Sequence, residues 1–254
     1  MNINHELSNK MKQLKLSGML ECVSVRTQEA AANQMSHGDY LTLLLEDELL
    51  HREQRRYERR YKKAGFKGKK LLDNFDFNFN PRINQSIIRD LATGRFIREK
   101  TPVLMVGPCG TGKTHIAQAI GHCAIQKGMD VICTTQSHLS QDLQIGRATG
   151  SYQKRFKSYA KVDLLIIDDF GLKPLRATED EAFHELINAR YEEAATLVTS
   201  NLAIEEWEQA FPNKLLGAAT IDRLIHNACR LVLEGKSFRS SQKKDKKEAP
   251  EKGG

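Results

Sequence analysis

The residues from Gly107 to Thr114 match the phosphate-binding pattern G-x-x-x-x-G-K-[ST] in full. They follow a short apolar run, Val103 to Val106, and precede a helix-like segment that reaches Gly128. The glycines let backbone N–H groups surround phosphates, and the start of the helix adds partial positive charge. The motif predicts a nucleotide site formed by Gly107, Pro108, Cys109, Gly110, Thr111, Gly112, Lys113 and Thr114.

Two consecutive carboxylates follow a second apolar run, Leu164 to Ile167. In P-loop enzymes, an aspartate at this strand end and the P-loop hydroxyl both hold Mg²⁺. We therefore assign Mg²⁺ binding to Thr114 and Asp168, while Lys113 reaches the β- and γ-phosphates of ATP. Asp169 is expected to orient and polarise the attacking water, although a carboxylate here can instead cap the following turn.

Asn201 comes straight after a further apolar run, Thr196 to Thr199. The carboxyl ends of parallel strands meet at one edge of a sheet, so Asn201 is expected beside Asp168, where it positions the water against the γ-phosphate. A Ser-Asn pair after a strand is also typical of a plain turn. Within the P-loop, Cys109 is interpreted as a variable position.

Helix-like and strand-like segments alternate from Asn80 onward. Short apolar runs bounded by helical patterns are typical of the buried strands of a parallel sheet. The predicted fold class is therefore α/β, a P-loop NTPase core with a parallel sheet flanked by helices on both faces. The predicted strands are Val103 to Val106, Val131 to Cys133, Leu164 to Ile167 and Thr196 to Val198.

Capping patterns predict two helix starts in this region. Asn80-Pro81 suits an N-cap followed by proline at the first helical position, and Gly94 suits the end of that helix. Thr178 and Glu181 have the spacing of a capping box. The second helix is expected to bury Ala182, Phe183, Leu186 and Ile187.

The first 64 residues show helical spacing and no strand signals. A long helix is predicted to begin between Ser36 and Asp39, where capping residues cluster. Its apolar front half is expected to pack, and its basic back half to project. The leucines of that front half are Leu41, Leu44, Leu45 and Leu49.

The net charge of +7 is concentrated in two segments. Residues 51–70 hold five Arg, five Lys and two Glu, and residues 236–254 hold seven basic and three acidic side chains. Such clusters favour polyanions such as nucleic acid, although a solvated helix face and a tail would look the same. The predicted organisation is a small all-helical basic domain (1–66), an ATPase domain (67–240) and a charged disordered tail (241–254).

The remaining composition excludes several classes of protein. The five cysteines are odd in number and include no Cys-x-x-Cys pair, which indicates reduced thiols rather than disulfides or a zinc site. The N-terminus lacks an apolar secretory core, and no apolar stretch has the roughly 20 residues of a membrane span. We therefore expect a cytoplasmic protein.

Together these motifs resemble an AAA+ ATPase of the initiator and helicase-loader group, and within it the IstB family of bacterial insertion sequences. The resemblance covers nearly the whole chain. It rests on the P-loop, on Ile-Ile-Asp-Asp-Phe-Gly171, on Thr-Ser-Asn201 and on Asp222-Arg223-Leu. The segment from Asp39 through Arg52 and the following Arg/Lys run, ending near Phe75-Asp-Phe77, is similar to the N-terminal region of that family.

The resemblance implies an oligomer, a ring or a helical assembly, that binds ATP and Mg²⁺ between neighbouring subunits. An arginine from one subunit completes the site of the next, and that position matches Arg223; the alternative is a surface arginine. Arg239 resembles the second sensor arginine of helicase loaders. The implied function is an ATPase that prepares and bends double-stranded target DNA and recruits or stimulates the transposase.

Several basic residues are candidates for contacts with DNA. We find no base-reading motif, so backbone contacts and DNA deformability are expected to dominate, with a steep dependence on salt. The candidates are Arg55, Arg56, Arg59, Arg60, Arg147, Lys154, Arg155 and Lys157.

Two other functions fit parts of the sequence. A DnaC-like replicative helicase loader shares the ATPase motifs and would prefer single-stranded DNA. A small-molecule kinase shares only the P-loop and would need no oligomer. The basic N-terminal helix, the paired carboxylates and Arg223 speak against the kinase.

Overall fold

The structure, a computed structural model, describes residues 5–235 and 237 of the 254-residue chain. It divides into two compact units, Met1–Arg59 and Arg60–Gly254. The domain bounds given from the sequence stay predictions, and residues 241–254 lie outside the described residues. Among the residues described, no helix has the length and apolar character needed to cross a bilayer.

Three helices make up the N-terminal part of the chain, as predicted: α1 (His5–Gln13), α2 (Ser17–Ala32) and α3 (His37–Ala64). The last of them continues past the end of the first unit. A small apolar cluster holds the first unit together. Its buried members are Met11, Met19, Val23 and Leu44, and Leu16, Leu20 and Tyr40 pack against them.

The start of α2 is capped by a buried carboxylate of α3. Glu48 Oε2 accepts hydrogen bonds from Gly18 N at 2.7 Å and Met19 N at 3.1 Å, while Arg52 Nε donates to Oε1 at 2.7 Å. Burial acts to raise the pKa of Glu48, but these hydrogen bonds outweigh it and hold the pKa below its ordinary value. Glu48 thus supplies the N-cap that the local residue, Leu16, does not provide.

The helix α3 begins where the sequence predicted, since Ser36 Oγ accepts a hydrogen bond from Asp39 N at 3.2 Å. The predicted packing of its apolar front half is wrong. Leu44 joins the cluster and is 3% exposed, but three leucines on the neighbouring ridge of the helix face solvent. These are Leu41, Leu45 and Leu49, which are 52%, 49% and 61% exposed.

The second unit contains a five-stranded sheet in the order β2-β3-β4-β1-β5, and all neighbouring strands are parallel. This confirms the predicted sheet. The edge strand β5 was not predicted, because only Leu231 in it is buried and no apolar run marks it. The strands are β1 (Val103–Val106), β2 (Val131–Thr135), β3 (Leu164–Phe170), β4 (Ala195–Ser200) and β5 (Cys229–Val232).

Helices flank this sheet, as predicted. They are α4 (Gln85–Ala92), α5 (Arg95–Arg98), α6 (Lys113–Gln126), α7 (Gln136–Ala148), α8 (Tyr152–Lys161), α9 (Ala177–Arg190), a 3₁₀ helix (Ile204–Ala210) and α10 (Lys214–Ile225). The side chains predicted to face inward from α9 are all buried.

Both predicted helix starts are wrong, because a residue other than the predicted one caps each helix. The cap of α4 is Asn84, whose Oδ1 accepts from Ile87 N at 3.3 Å, and Asn80 lies in the turn before it. The capping pair of α9 is Arg176 with Glu179, whose Oε2 accepts from Arg176 N at 3.0 Å. The start of α4 has two asparagines that suit a cap, Asn80 and Asn84, and local sequence does not decide between them. At α9 the cap is an arginine, which is not a favoured capping residue, so the sequence pointed to Thr178 instead.

A buried arginine fastens the C-terminus of α9 to the start of β4. Arg190 is 1% exposed, and it donates to the carbonyls of Tyr159 at 2.7 Å and Val162 at 2.9 Å. It also donates to the carbonyl of Ala195 and to Thr196 Oγ1, the latter at 3.0 Å. Burial lowers the pKa of its guanidinium to about 9. Its several N–H groups therefore hold carbonyls at the end of α8, in the loop after it and at the start of β4.

Replacing Arg190 by methionine should destabilise the second unit by roughly 2–4 kcal/mol, because several buried acceptors lose their donor. Urea unfolding followed by fluorescence of Trp207, the only tryptophan and a fully buried one, measures this effect. The control is Arg98→Met on the exposed side of α5. Equal unfolding midpoints for the two variants would contradict the role given to Arg190.

Candidate nucleotide-binding site

The P-loop joins β1 to α6, in the setting that the motif requires. Gly112 caps α6 with φ of 99°, and a Cβ there would come within 2.5 Å of the Phe75 ring, so only glycine fits. Lys113 Nζ donates to the carbonyls of Gly107 at 2.6 Å and Pro108 at 2.8 Å. The loop therefore presents a helix N-terminus and a lysine at one place.

One oxygen of Asp168 accepts hydrogen bonds from two hydroxyl groups. Thr114 Oγ1 donates to Asp168 Oδ1 at 3.0 Å, and Thr199 Oγ1 donates to the same oxygen. The structure thus brings together the two residues predicted to hold Mg²⁺. Hard oxygen donors of this kind suit Mg²⁺, which takes few protein ligands and completes its shell with water and phosphate oxygens.

A bulge in β3 turns the second carboxylate toward the same edge. Ile167 pairs with Val198 and Phe170 with Ser200, so β3 contains one residue more than β4 between these pairs. Asp169 takes a left-handed conformation, with φ of 56°. Neighbouring side chains on a regular strand point to opposite faces, and a bulge re-aims one of them.

Two residues that sequence reasoning missed hold this bulge in place. Thr199 Oγ1 accepts a hydrogen bond from Asp169 N at 3.2 Å, and Thr199 is 1% exposed. Gln136, also buried, accepts from Gly171 N at 2.7 Å and donates to the carbonyl of Lys173 at 2.9 Å. The only signal for Thr199 was a hydroxyl at the end of an apolar run. Nothing in the sequence marked Gln136.

Six of the eight predicted P-loop residues, Cys109 to Thr114, line one cavity of about 240 Å³, whereas Gly107 and Pro108 are not among its lining residues. Asp169 and Asn201 also line it, beside the P-loop. A third wall comes from residues 70–80, where the sequence had indicated only a domain boundary. The lining residues are Lys70, Asn74, Phe75, Asp76, Phe79, Asn80, Cys109, Gly110, Thr111, Gly112, Lys113, Thr114, His115, Asp169 and Asn201.

Of the two predicted arginines, the structure places only Arg223, and it lies away from this cavity. Arg223 is half-buried on α10, donates to the carbonyl of Ala219 at 2.9 Å, and does not line the cavity of its own chain. Burial, followed by the charge of Arg223, lowers the pKa of His184 on α9. Arg239 lies outside the described residues.

The cavity fits a nucleoside triphosphate with Mg²⁺. The phosphate end has backbone N–H groups of the P-loop, an ammonium group and the Thr114–Asp168 oxygen pair. Nearby on β2, burial and then the charge of Asp168 raise the pKa of the Cys133 thiol to about 12, so Cys133 stays protonated. Cys109 is exposed in the loop.

The candidate DNA contacts divide by their charge partners. Arg60 Nε lies 3.1 Å from Asp130 Oδ1, and Arg155 forms an ion pair with Asp142. Arg147 stacks over the ring of Tyr152, with its Cζ 5.1 Å from the ring centre. The exposed candidates are Arg55, Arg56 and Arg59 in the first unit and Arg147, Lys154 and Lys157 in the second.

Sequence comparisons place this chain among proteins of insertion sequences. The family described as "IstB-like ATP binding protein" matches residues 9–247. An ATP-binding protein, by name, in an insertion sequence of Mycobacterium tuberculosis is 35% identical over 92% of this chain and 93% of its own length. The IS21 ATP-binding protein, by name, of Pseudomonas aeruginosa is 31% identical over 94% of this chain and 91% of its own length.

Solved structures show a similar fold at low identity. AMPPCP-bound DnaA from Aquifex aeolicus has a TM-score of 0.57 at 20% identity, covering 74% of this chain and 57% of DnaA. The DnaC helicase loader has a TM-score of 0.52 at 21% identity, covering 59% of this chain and 87% of DnaC. The predicted AAA+ fold is thereby confirmed.

Replacing Thr199 by valine should lower ATP turnover at least tenfold, because Asp168 and Asp169 lose the hydroxyl that orients them. ATP affinity should change less than threefold, since the P-loop is intact. Steady-state hydrolysis and equilibrium binding of ATP separate the two effects. Thr199→Ser, which keeps the hydroxyl, is the control and should retain most turnover. Wild-type turnover in Thr199→Val would refute this role.

Proposed function

Because the chain belongs to the family of IstB-like ATP-binding proteins, we propose that it uses ATP to assemble on double-stranded DNA and to serve the transposase of an insertion sequence. The observation that carries the proposal is the cavity that Lys113, Asp169 and Asn201 line together, with Asp168 held against Thr114 at its edge. Its place of action is the bacterial cytoplasm, where target DNA lies.

Five residues at the phosphate end of the cavity each have a task in hydrolysis: Lys113, Thr114, Asp168, Asp169 and Asn201. Lys113 binds the β- and γ-phosphates, and Thr114 and Asp168 would hold Mg²⁺, which supplies positive charge to the phosphate oxygens. Asp169 orients and polarises the attacking water. Asn201 donates its amide to the water or the γ-phosphate. The left-handed conformation of Asp169 supports this role over capping of a turn, because it aims the carboxylate at the cavity.

Assembly completes the site in this proposal. Arg223 does not line the cavity of its own chain, so it reaches phosphate only from a neighbour. An arginine supplied in trans is worth roughly 10³–10⁵ in rate. Head-to-tail contact of identical subunits yields a ring or a helical filament. Hydrolysis should therefore follow oligomer formation.

DNA is bound by the exposed basic side chains of α3 and of the α7–α8 region. The arginines paired with aspartates, Arg60 and Arg155, contribute less, because their charge is already compensated. Contacts of this kind neutralise phosphates without reading bases. DNA held along a repeated basic surface would be presented to the transposase in a bent form.

We expect tight, ATP-dependent binding of duplex DNA that weakens on the order of 10³-fold between 50 and 200 mM salt. Fluorescence anisotropy with labelled duplex and single-stranded DNA, with and without ATP, measures this. Lys113→Ala should lose the ATP dependence, because it cannot bind nucleotide. The matched control is Lys127→Ala, at the far end of α6.

The same titration separates the alternatives. A preference for single-stranded DNA would contradict the proposal and indicate a helicase loader instead. If the protein still binds ATP but binds neither duplex nor single-stranded DNA, it would instead be an ATPase that acts on a partner of another class. Normal ATP affinity in Lys113→Ala would contradict the assignment of the site itself.

Arg223→Ala and Asp169→Asn should each abolish most ATP turnover while retaining ATP binding. A mixture of the two variants should recover part of the activity, because an Asp169→Asn subunit still offers its Arg223 to the intact cavity of an Arg223→Ala neighbour. Turnover measured across mixing ratios tests this. A mixture as inactive as its components would place Arg223 outside the neighbouring site.

A further inference from the structure

A segment of residues 65–80, here called the strap, runs along the nucleotide cavity from one edge of the sheet to the other. A Cβ at Gly65 would lie 3.2 Å from the carbonyl of Cys133 on β2. At its other end, the amide of Asn80 packs against Gly235, which follows β5. Because β2 and β5 are the two edge strands, the ends of the strap lie at opposite edges of the sheet.

The middle of the strap is fixed to the start of α6. His115 Nε2 and the carbonyl of Leu71 are 2.8 Å apart, and the Phe75 ring packs on Gly112 of the P-loop. Earlier in the strap, Phe66 stacks on His122 of α6 at 4.4 Å between ring centres. Burial lowers the pKa of His122, so this stack is formed with a neutral ring.

Lys70 lies between the β2 anchor and the His115 anchor, and it lines the cavity. Asp169 and Asn201, at the ends of β3 and β4, mark the end of the cavity where the terminal phosphate would lie. The order of strands puts β3 next to β2, so Lys70 belongs to this end. Asn80, on the β5 side, belongs to the other.

The electrostatics of Cys133 agree with this placement. Burial is the main cause that raises its pKa, Asp168 adds to the effect, and Lys70, followed by Lys67, opposes it. The carboxylate that would hold Mg²⁺ and the Lys70 ammonium therefore both act on one thiol of β2. Lys70 is half-buried, whereas Lys69 beside it is exposed and does not line the cavity.

We propose that Lys70 binds the γ-phosphate of ATP, as a second lysine beside Lys113, and so makes the strap a direct contact of the terminal phosphate. The proposal rests on ATP being the ligand of this cavity, as the proposed function requires. An ammonium group that reaches only the terminal phosphate discriminates ATP from ADP, because ADP offers it no partner. The end of the basic run thus serves nucleotide rather than DNA.

The test is calorimetric binding of the non-hydrolysable analogue AMPPCP and of ADP, each with Mg²⁺, to the full chain. Lys70→Met should weaken AMPPCP binding about 10- to 100-fold, the loss of one charged hydrogen bond. ADP affinity should change less than about threefold. Lys70→Arg should restore much of the preference for AMPPCP, and the control Lys69→Met should bind both like wild type.

Two results would overturn the proposal. An equal loss for AMPPCP and ADP in Lys70→Met would show that Lys70 only supports the shape of the strap. Unchanged affinities for both would show that it only forms the cavity wall. The proposed function fails separately, if the wild-type chain binds AMPPCP and ADP but neither hydrolyses ATP nor binds duplex DNA.

Discussion

Neighbouring residues of a β-strand point to opposite faces, whereas the nucleotide site needs two consecutive carboxylates at one edge of the sheet. The bulge at Asp169 resolves this conflict, and the residues proposed for catalysis are arranged around it. Its extra N–H bonds to Thr199, and the same hydroxyl orients Asp168. Gln136 holds the turn that follows. A strained φ of this kind persists because several buried bonds determine it together.

The position of Thr199 depends in turn on the register of β4. Arg190 ties the first residues of β4 to the carbonyls that precede β3, so the two strands enter the sheet in fixed relation. A one-residue slip of β4 would move Thr199 to the other face and away from both carboxylates. A buried side chain that does not line the nucleotide cavity thus supports the geometry of the proposed catalytic residues through the backbone.

The strap forms the third wall of the nucleotide cavity. Its position also separates the basic residues of 51–70 by what they contact. Within that run, Arg60 compensates Asp130, while Lys70 lines the nucleotide cavity. Arg56 and Arg59 of α3 are exposed and remain candidates for DNA, as does Arg55, which also donates to Ser17 Oγ at 3.1 Å. The basic run therefore contains residues of three kinds: one in an ion pair, one at the nucleotide cavity, and several that stay candidates for DNA. Only their burial and their charge partners distinguish them.

The sequence by itself determined the P-loop, the paired carboxylates and the four strands β1 to β4, because each depends on a local pattern of residue types. It also determined the family, through motifs that stand in one order along the chain. Only the tertiary structure decided which cap starts α4, that most leucines of α3 are exposed, and that Lys70, Gln136 and Thr199 belong to the site. These depend on contacts between residues far apart in sequence. Local propensity carries no information about such contacts, whereas packing and hydrogen bonding fix them.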